Sequence, residues 1–250
     1  LACTRPSMFA IENAVAYLLG RVMEGYSRSL AVEALKELLR SEVKKWLKAK
    51  DEAFKRCVEH TTNIFKEGSK VLTHSFSSTV LEALKKASSK VKLDVYVSES
   101  RPLYEGRAMA KELVKSGCKV TLITDASIGH FAKGVDLAVT GADTISADGS
   151  VINKMGTYLL ALAAKRASIP FYVAAETLKI GVSTLFSKPR LEERSPSQVH
   201  KGLKGLKVRN IYFDITPPDL ITKIICEHGF VDPQKVYEYA VEALKAFYFP

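Results

Sequence analysis

Apolar residues recur along the first third of the chain at the spacing of helix faces. From Leu35 they fall at Leu38, Leu39, Val43, Trp46, Leu47, Phe54, Cys57 and Val58 and run on to Ile64 and Phe65, with lysines and glutamates between them. This i, i+3, i+4 stripe predicts one long amphipathic helix, or two in tandem. A shorter helix is predicted from Ile11 to Met23, and Gly25 with Ser27 to Ser29 breaks the chain between them.

At Gly68 the period changes. Val71 to Thr73, Val91 to Val97, Val120 to Thr124, Leu137 to Thr140, Phe171 to Ala174 and Val208 to Phe213 read as strands. Helical stripes intervene at Val80 to Leu84, through Met109 and Leu113 to a closing Gly117, and from Tyr158 to Arg166. Strands alternating with helices predict right-handed βαβ units and a parallel sheet. The reading is therefore an α/β chain in two parts, a helical region over 1–67 and a parallel-sheet domain over 68–250. The stretch from Lys179 to Arg209 is rich in Lys, Arg, Ser, Gly and Pro and reads as a surface excursion.

Composition narrows the class only a little. The 250 residues are 47% hydrophobic and 26% charged, ordinary globular values. No apolar run approaches the ~18 residues of a membrane span, and no leader pattern follows Leu1, so a cytoplasmic protein is expected. Four scattered cysteines form no CxxC, which argues against a zinc site. No metal or redox cofactor is implied. The net charge of +10 suits a phosphorylated ligand or RNA. RNA binding by the basic excursion rests on charge alone and is not expected.

The chemistry gathers at the carboxyl ends of the strands, where open α/β sheets bind ligands. His74, Ser75, Ser77, Ser78 and Thr79 follow the first strand, and Ser98 to Pro102 with Glu105 and Gly106 follow the second. Asp125, then Gly141 and Asp143, then Glu176 end the next three. Thr79 and Glu82 stand at capping-box spacing, and a helix start carrying hydroxyls either binds phosphate or is merely capped. Asn153 and Lys154 are placed at the start of another helix, where a lysine needs an anion to offset the dipole. His74 reads as a packed residue. Asp143 either caps a turn or accepts hydrogen bonds from ligand hydroxyls.

Together the segments THSFSSTVLEAL (73–84), SESRPLYEGRAMAKEL (98–113), LITDASIGHF (122–131), TGADTISADGSVINKMGTYLLALAAK (140–165), IPFYVAAETLK (169–179) and FDITPP (213–218) resemble one superfamily. It is that of the translation initiation factor 2B alpha, beta and delta regulatory subunits, which includes methylthioribose-1-phosphate isomerase and archaeal ribose-1,5-bisphosphate isomerase. The TRPS stretch at Thr4 to Ser7 resembles the family's N-terminal part more weakly. The resemblance implies a Rossmann-like domain after the helical region, a homodimer or larger homo-oligomer, and the initiation factor 2 alpha subunit as a candidate partner. It implies that Arg101, Asn153 and Lys154 hold a sugar phosphate, and that Asp143 shuttles protons in the isomerases with a cysteine.

That cysteine's position holds Ser75, and Glu105 stands where the isomerases carry glutamine. A thiol ionises near ~8.5, whereas an unassisted hydroxyl lies about five units higher, roughly 7 kcal/mol harder to ionise. The expected function is thus a regulatory protein with a pocket for a sugar phosphate or nucleotide monophosphate, formed by Ser75, Ser77, Arg101, Gly106, Asp143, Asn153 and Lys154. The alternative is a sugar-phosphate isomerase with Asp143 as its catalytic group. The aromatic end, Phe247 to Pro250, reads as a candidate interface.

Overall fold

The computed structural model describes residues 4, 5, 7–202 and 205–248, with side chains through residue 246. The aromatic end that was read as an interface lies outside the described side chains. Helices α1 (Phe9–Ser27) and α2 (Val32–Thr62) open the chain. The long stripe is thus one helix of 31 residues, not two. Among the described residues no helix is long and apolar enough to cross a membrane.

The α/β part follows as β1 (Lys70–His74), α3 (Ser78–Ser88), β2 (Asp94–Ser98), α4 (Glu105–Lys115), β3 (Lys119–Ile123) and the single turn α5 (Ile128–Phe131). Next come β4 (Leu137–Thr140), β5 (Thr144–Ser146), β6 (Val151–Lys154), α6 (Thr157–Ala167), β7 (Phe171–Ala174) and β8 (Ile180–Gly181). The chain closes with β9 (Phe213–Thr216), β10 (Lys223–Cys226), β11 (Gly229–Val231) and α7 (Val236–Tyr248). The main sheet runs β11-β10-β7-β4-β1-β2-β3, parallel except for β11, which pairs antiparallel with β10.

Burial on both faces explains the near-continuous apolar strands. Val71, Val95, Val97 and Val139 face α2, α3 and α4, where Val58, Leu84, Met109 and Leu113 meet them. Leu72, Ala138 and Val173 point the other way, towards Leu160 and Ala164 of α6 and Ala240 of α7. The N-terminal helices pack onto this body. Asn13 Nδ2 donates to the carbonyls of Leu178 and Ile180 at 2.9 and 2.7 Å, and the Cys57 thiol donates to the Ile225 carbonyl at 3.2 Å.

Two strand assignments change. The segment Val208–Phe213 is not a strand of the parallel sheet. Its place beside β7 is taken by β10, while β9 starts at Phe213 and joins a second sheet, β8-β5-β6-β9, antiparallel to β6. Asn153 and Lys154 end β6 rather than starting a helix, because that ladder keeps both extended, paired with Asp214 and Phe213. The excursion after Lys179 also contains β8, whose residues are buried.

Candidate functional site

In the main sheet the chain runs outward from β1 through β2 to β3, then returns to the other side of β1 as β4. The sheet therefore reverses direction between β1 and β4, and the loops after these strands diverge to leave a crevice. Their approach is close. A Cβ on Gly141 would stand 2.4 Å from Ser77 Oγ, so only glycine lets the two loops meet. Ser77 is the N-cap of α3, accepting the Val80 N–H at 3.3 Å. The predicted capping box of Thr79 and Glu82 does not form. Thr79 lies two residues further in, within the first turn, and donates to Glu176 at 3.0 Å, and Glu82 pairs with Lys85.

Ser75 follows β1 in the left-handed region, at φ 65°, with its N–H donating to Ser100 Oγ at 2.8 Å. Its own hydroxyl has no hydrogen-bond partner among the described residues. His74 gives it no help. The His74 ring is buried, with Nε2 2.9 Å from the Met155 carbonyl and Nδ1 2.5 Å from Ser98 Oγ. A carbonyl only accepts, so Nε2 carries the proton and Nδ1 accepts from Ser98. Burial lowers the His74 pKa and favours this neutral form.

Around Ser75 and Asp143 lies a cavity of about 190 Å³, also lined by Arg5, Phe76, Glu105, Lys154, Arg194 and Tyr212. A second of about 180 Å³ shares Phe76 and Asp143 and adds Ser77, Gly141, Asn153 and Lys179. Of the residues expected to bind ligand, Ser75, Ser77, Asp143, Asn153 and Lys154 thus come together. Arg101 and Gly106 line neither cavity. The exposed Arg101 guanidinium donates to the Tyr104 hydroxyl at 2.6 Å and the Val199 carbonyl at 3.1 Å, while Asp125 accepts the N–H groups of Ser100 and Arg101, each at 2.7 Å.

Backbone pairing explains how distant residues reach the cleft. The Met155 N–H donates to the Tyr212 carbonyl at 2.9 Å, continuing the β6–β9 ladder and setting Tyr212 beside Lys154. The Tyr212 N–H donates to Glu192, and the Arg194 N–H to Asn210, which aligns Arg194 with the same ring. Lys154 Nζ and the Arg194 guanidinium lie 3.8 and 3.7 Å from the ring centroid. Two cations so close to one centroid must take its two faces. Ser7 anchors the N-terminal strap, its hydroxyl donating to the Arg190 carbonyl and accepting the Glu192 N–H, while Arg5 donates to Glu192 at 2.9 Å. Sequence reasoning missed Arg5, Arg194 and Tyr212 as a group, since only the folded strap and strand pairing unite them. The one available signal was the TRPS stretch that holds Arg5.

The anion that offsets Lys154 is Glu105, whose Oε1 lies 3.1 Å from Nζ and also accepts the Tyr212 hydroxyl. Burial lowers the lysine's pKa, and Glu105 opposes that shift. Burial likewise pushes Tyr212 up to about 12, with Glu105 adding to the effect. Asp143 has no hydrogen-bond partner for its carboxylate among the described residues. Burial raises its pKa, against the pull of Lys179, Arg5 and Arg194.

This is a doubly wound α/β protein with a cleft of mixed charge at the point where its sheet reverses. A family model described as the initiation factor 2 subunit family matches residues 1–233, and the chain belongs to that family. It is 39% identical to the ribose 1,5-bisphosphate isomerase of Archaeoglobus fulgidus, over 96% of this chain and 77% of that one. It is 36% identical to a putative translation initiation factor eIF-2B subunit 2-like protein of Pyrococcus abyssi, over 90% and 83%. Among solved structures it resembles the translation initiation factor eIF-2B of Pyrococcus horikoshii, with a TM-score of 0.81 and 36% identity, covering 94% of this chain and 79% of that one.

Proposed function

We propose that this chain is a non-isomerising regulatory protein of the initiation factor 2B type, which binds a sugar phosphate or nucleotide monophosphate in the cleft. One observation carries the choice. The Ser75 hydroxyl has no hydrogen-bond acceptor among the described residues, and both His74 nitrogens are engaged elsewhere. A hydroxyl so placed cannot replace a thiol in a proton shuttle, being roughly 7 kcal/mol harder to ionise. The binding groups remain: the α3 start at Ser77, the cations Arg5, Arg194 and Lys154, and the free acceptor Asp143.

The reading includes a homodimer or larger assembly in the cytoplasm and a role towards the initiation factor 2 alpha subunit. Its test is calorimetry with ribose phosphates and AMP against wild type and Lys154→Ala. Binding below millimolar that the variant weakens supports it, and no binding by any of these ligands overturns it. Light scattering at micromolar concentration decides the assembly.

The isomerase reading has one structural observation in its favour. Asp143 is half-buried, unpaired among the described residues and raised in pKa, as suits a group that gives and takes a proton. Relatives of similar identity carry both kinds of name.

A further inference from the structure

The cleft contains two places fit for an anion, and a carboxylate of the protein already occupies one. The first is the start of α3, where Ser77 and Ser78 line the smaller cavity. The second is Lys154, which is almost fully buried. Its Nζ is held by Glu105 at 3.1 Å, and Glu105 is fixed in turn by the Tyr212 hydroxyl. Tyr212 cannot turn freely, because Lys154 and Arg194 lie against its two faces.

The other charges follow the same pattern. Arg5 and Arg194 both reach Glu192, at 2.9 and 3.7 Å. Lys179 of the smaller cavity pairs with Glu176 at 3.4 Å. With Asp143 on the wall that both cavities share, four cations meet four carboxylates before any ligand enters. A single phosphate adds two charges that the α3 start and the two arginines can receive. A second phosphate, to reach Lys154, must come equally close to Glu105. Glu105 Oε2 is itself buried and has no hydrogen-bond partner among the described residues, so this oxygen meets an incoming anion with no donor between them and repels it.

Resting on the phosphorylated-ligand reading above, we propose that Glu105 makes the cleft selective for ligands bearing one phosphate, and that it refuses bisphosphates. Sugar monophosphates and nucleoside monophosphates are admitted. Glutamine at this position keeps the shape and an acceptor for Tyr212 while removing the charge, so Glu105→Gln isolates the effect.

The test is calorimetry on the full chain at one fixed ionic strength. Ribose 1-phosphate and ribose 1,5-bisphosphate are each titrated into wild type and Glu105→Gln, with thermal melts to check folding. Wild type should bind the monophosphate at least tenfold more tightly, and Glu105→Gln should erase or reverse that preference. A wild type that binds the bisphosphate as well as or better than the monophosphate overturns the proposal, and so does a folded variant with an unchanged ratio. If the variant fails to fold, the wild-type ratio decides alone. If wild type binds neither ligand, nor AMP, the phosphorylated-ligand reading itself falls and takes this one with it. Tight monophosphate binding without discrimination removes only the role given to Glu105.

Discussion

Asp214 on β9 accepts the backbone N–H of Gly156 at 2.7 Å and that of Tyr158 at 3.1 Å, so a side chain from the second sheet caps the start of α6. Its other oxygen, Oδ1, is buried without a donor among the described residues, and burial pushes the carboxyl up to about 6. An unfolded aspartate titrates near ~3.9. Between those values the native state binds more protons, so the stabilisation is complete below pH ~4 and lost as pH rises through about 6. Integrated over that window it amounts to at most ~3 kcal/mol. His74 acts in the opposite sense, because its lowered pKa makes unfolding take up a proton below ~6.5. Asp214→Asn isolates one effect from the other. In urea unfolding the variant should gain ~1–3 kcal/mol on wild type between pH ~4.5 and ~7. A pH-independent difference between the two proteins would show that Asp214 does not titrate in this range.

Gly106 has a packing role, and that too can be measured. A Cβ there would lie 1.8 Å from the Ser98 carbonyl oxygen and 2.8 Å from its carbon. Both belong to the backbone of β2, which cannot yield without loosening its ladders to β1 and β3. Gly106→Ala should cost ~3 kcal/mol or more in urea unfolding. Gly129 has open space around a Cβ, so Gly129→Ala should stay within ~0.5 kcal/mol of wild type. Equal, small effects at both positions would contradict the close approach of α4 to β2.

The parallel sheet was legible because its central strands are buried on both faces and stand out as apolar runs such as Leu137 to Thr140. The second sheet was not. Strands β5 and β8 have only three and two residues, too short for a period to declare itself. Lys154 shows how a local reading goes astray. It precedes α6 by three positions and looks like a helix start, but pairing with Phe213 across 59 residues of sequence keeps it extended. Its anion, Glu105, lies 49 residues away, and no local rule joins them. Part of the crevice lining was readable, because Ser75, Ser77 and Asp143 follow apolar strands, but only the folded sheet sets β1 beside β4. Arg194 was not, because it reaches the cleft only through the pairing of its segment with the residues before β9.

Asp143 should trade stability for binding. Its carboxylate is half-buried with no hydrogen bond among the described residues, and leaving a charge so placed costs the fold. Asp143→Asn removes that charge with little change of shape. The melting temperature should stay level or rise, while affinity for a sugar phosphate falls about tenfold, ~1.4 kcal/mol, as one charged hydrogen bond to the ligand is weakened. A large loss of stability with unchanged affinity would instead assign Asp143 to the turn after β4.

The last prediction separates chemistry from binding. Ribose 1,5-bisphosphate alone is a poor test of turnover, because Glu105 disfavours its second phosphate whether or not the proton shuttle works. Methylthioribose-1-phosphate carries one phosphate and escapes that objection. Wild type should bind it and fail to isomerise it, since Ser75 has no proton acceptor among the described residues and Asp143 alone would have to move the proton between the two carbons. Ser75→Cys supplies a thiol some five units easier to ionise, in a cavity that already contains Asp143 and Lys154, and should give slow but measurable turnover. The decisive measurement is the wild-type rate at saturating substrate, repeated with Asp143→Asn. Turnover of ~1 s⁻¹ or faster, in the ordinary range of enzymes, that disappears in Asp143→Asn would mean the chemistry survives without the thiol. The chain would then be an isomerase, and Ser75 would only position the sugar.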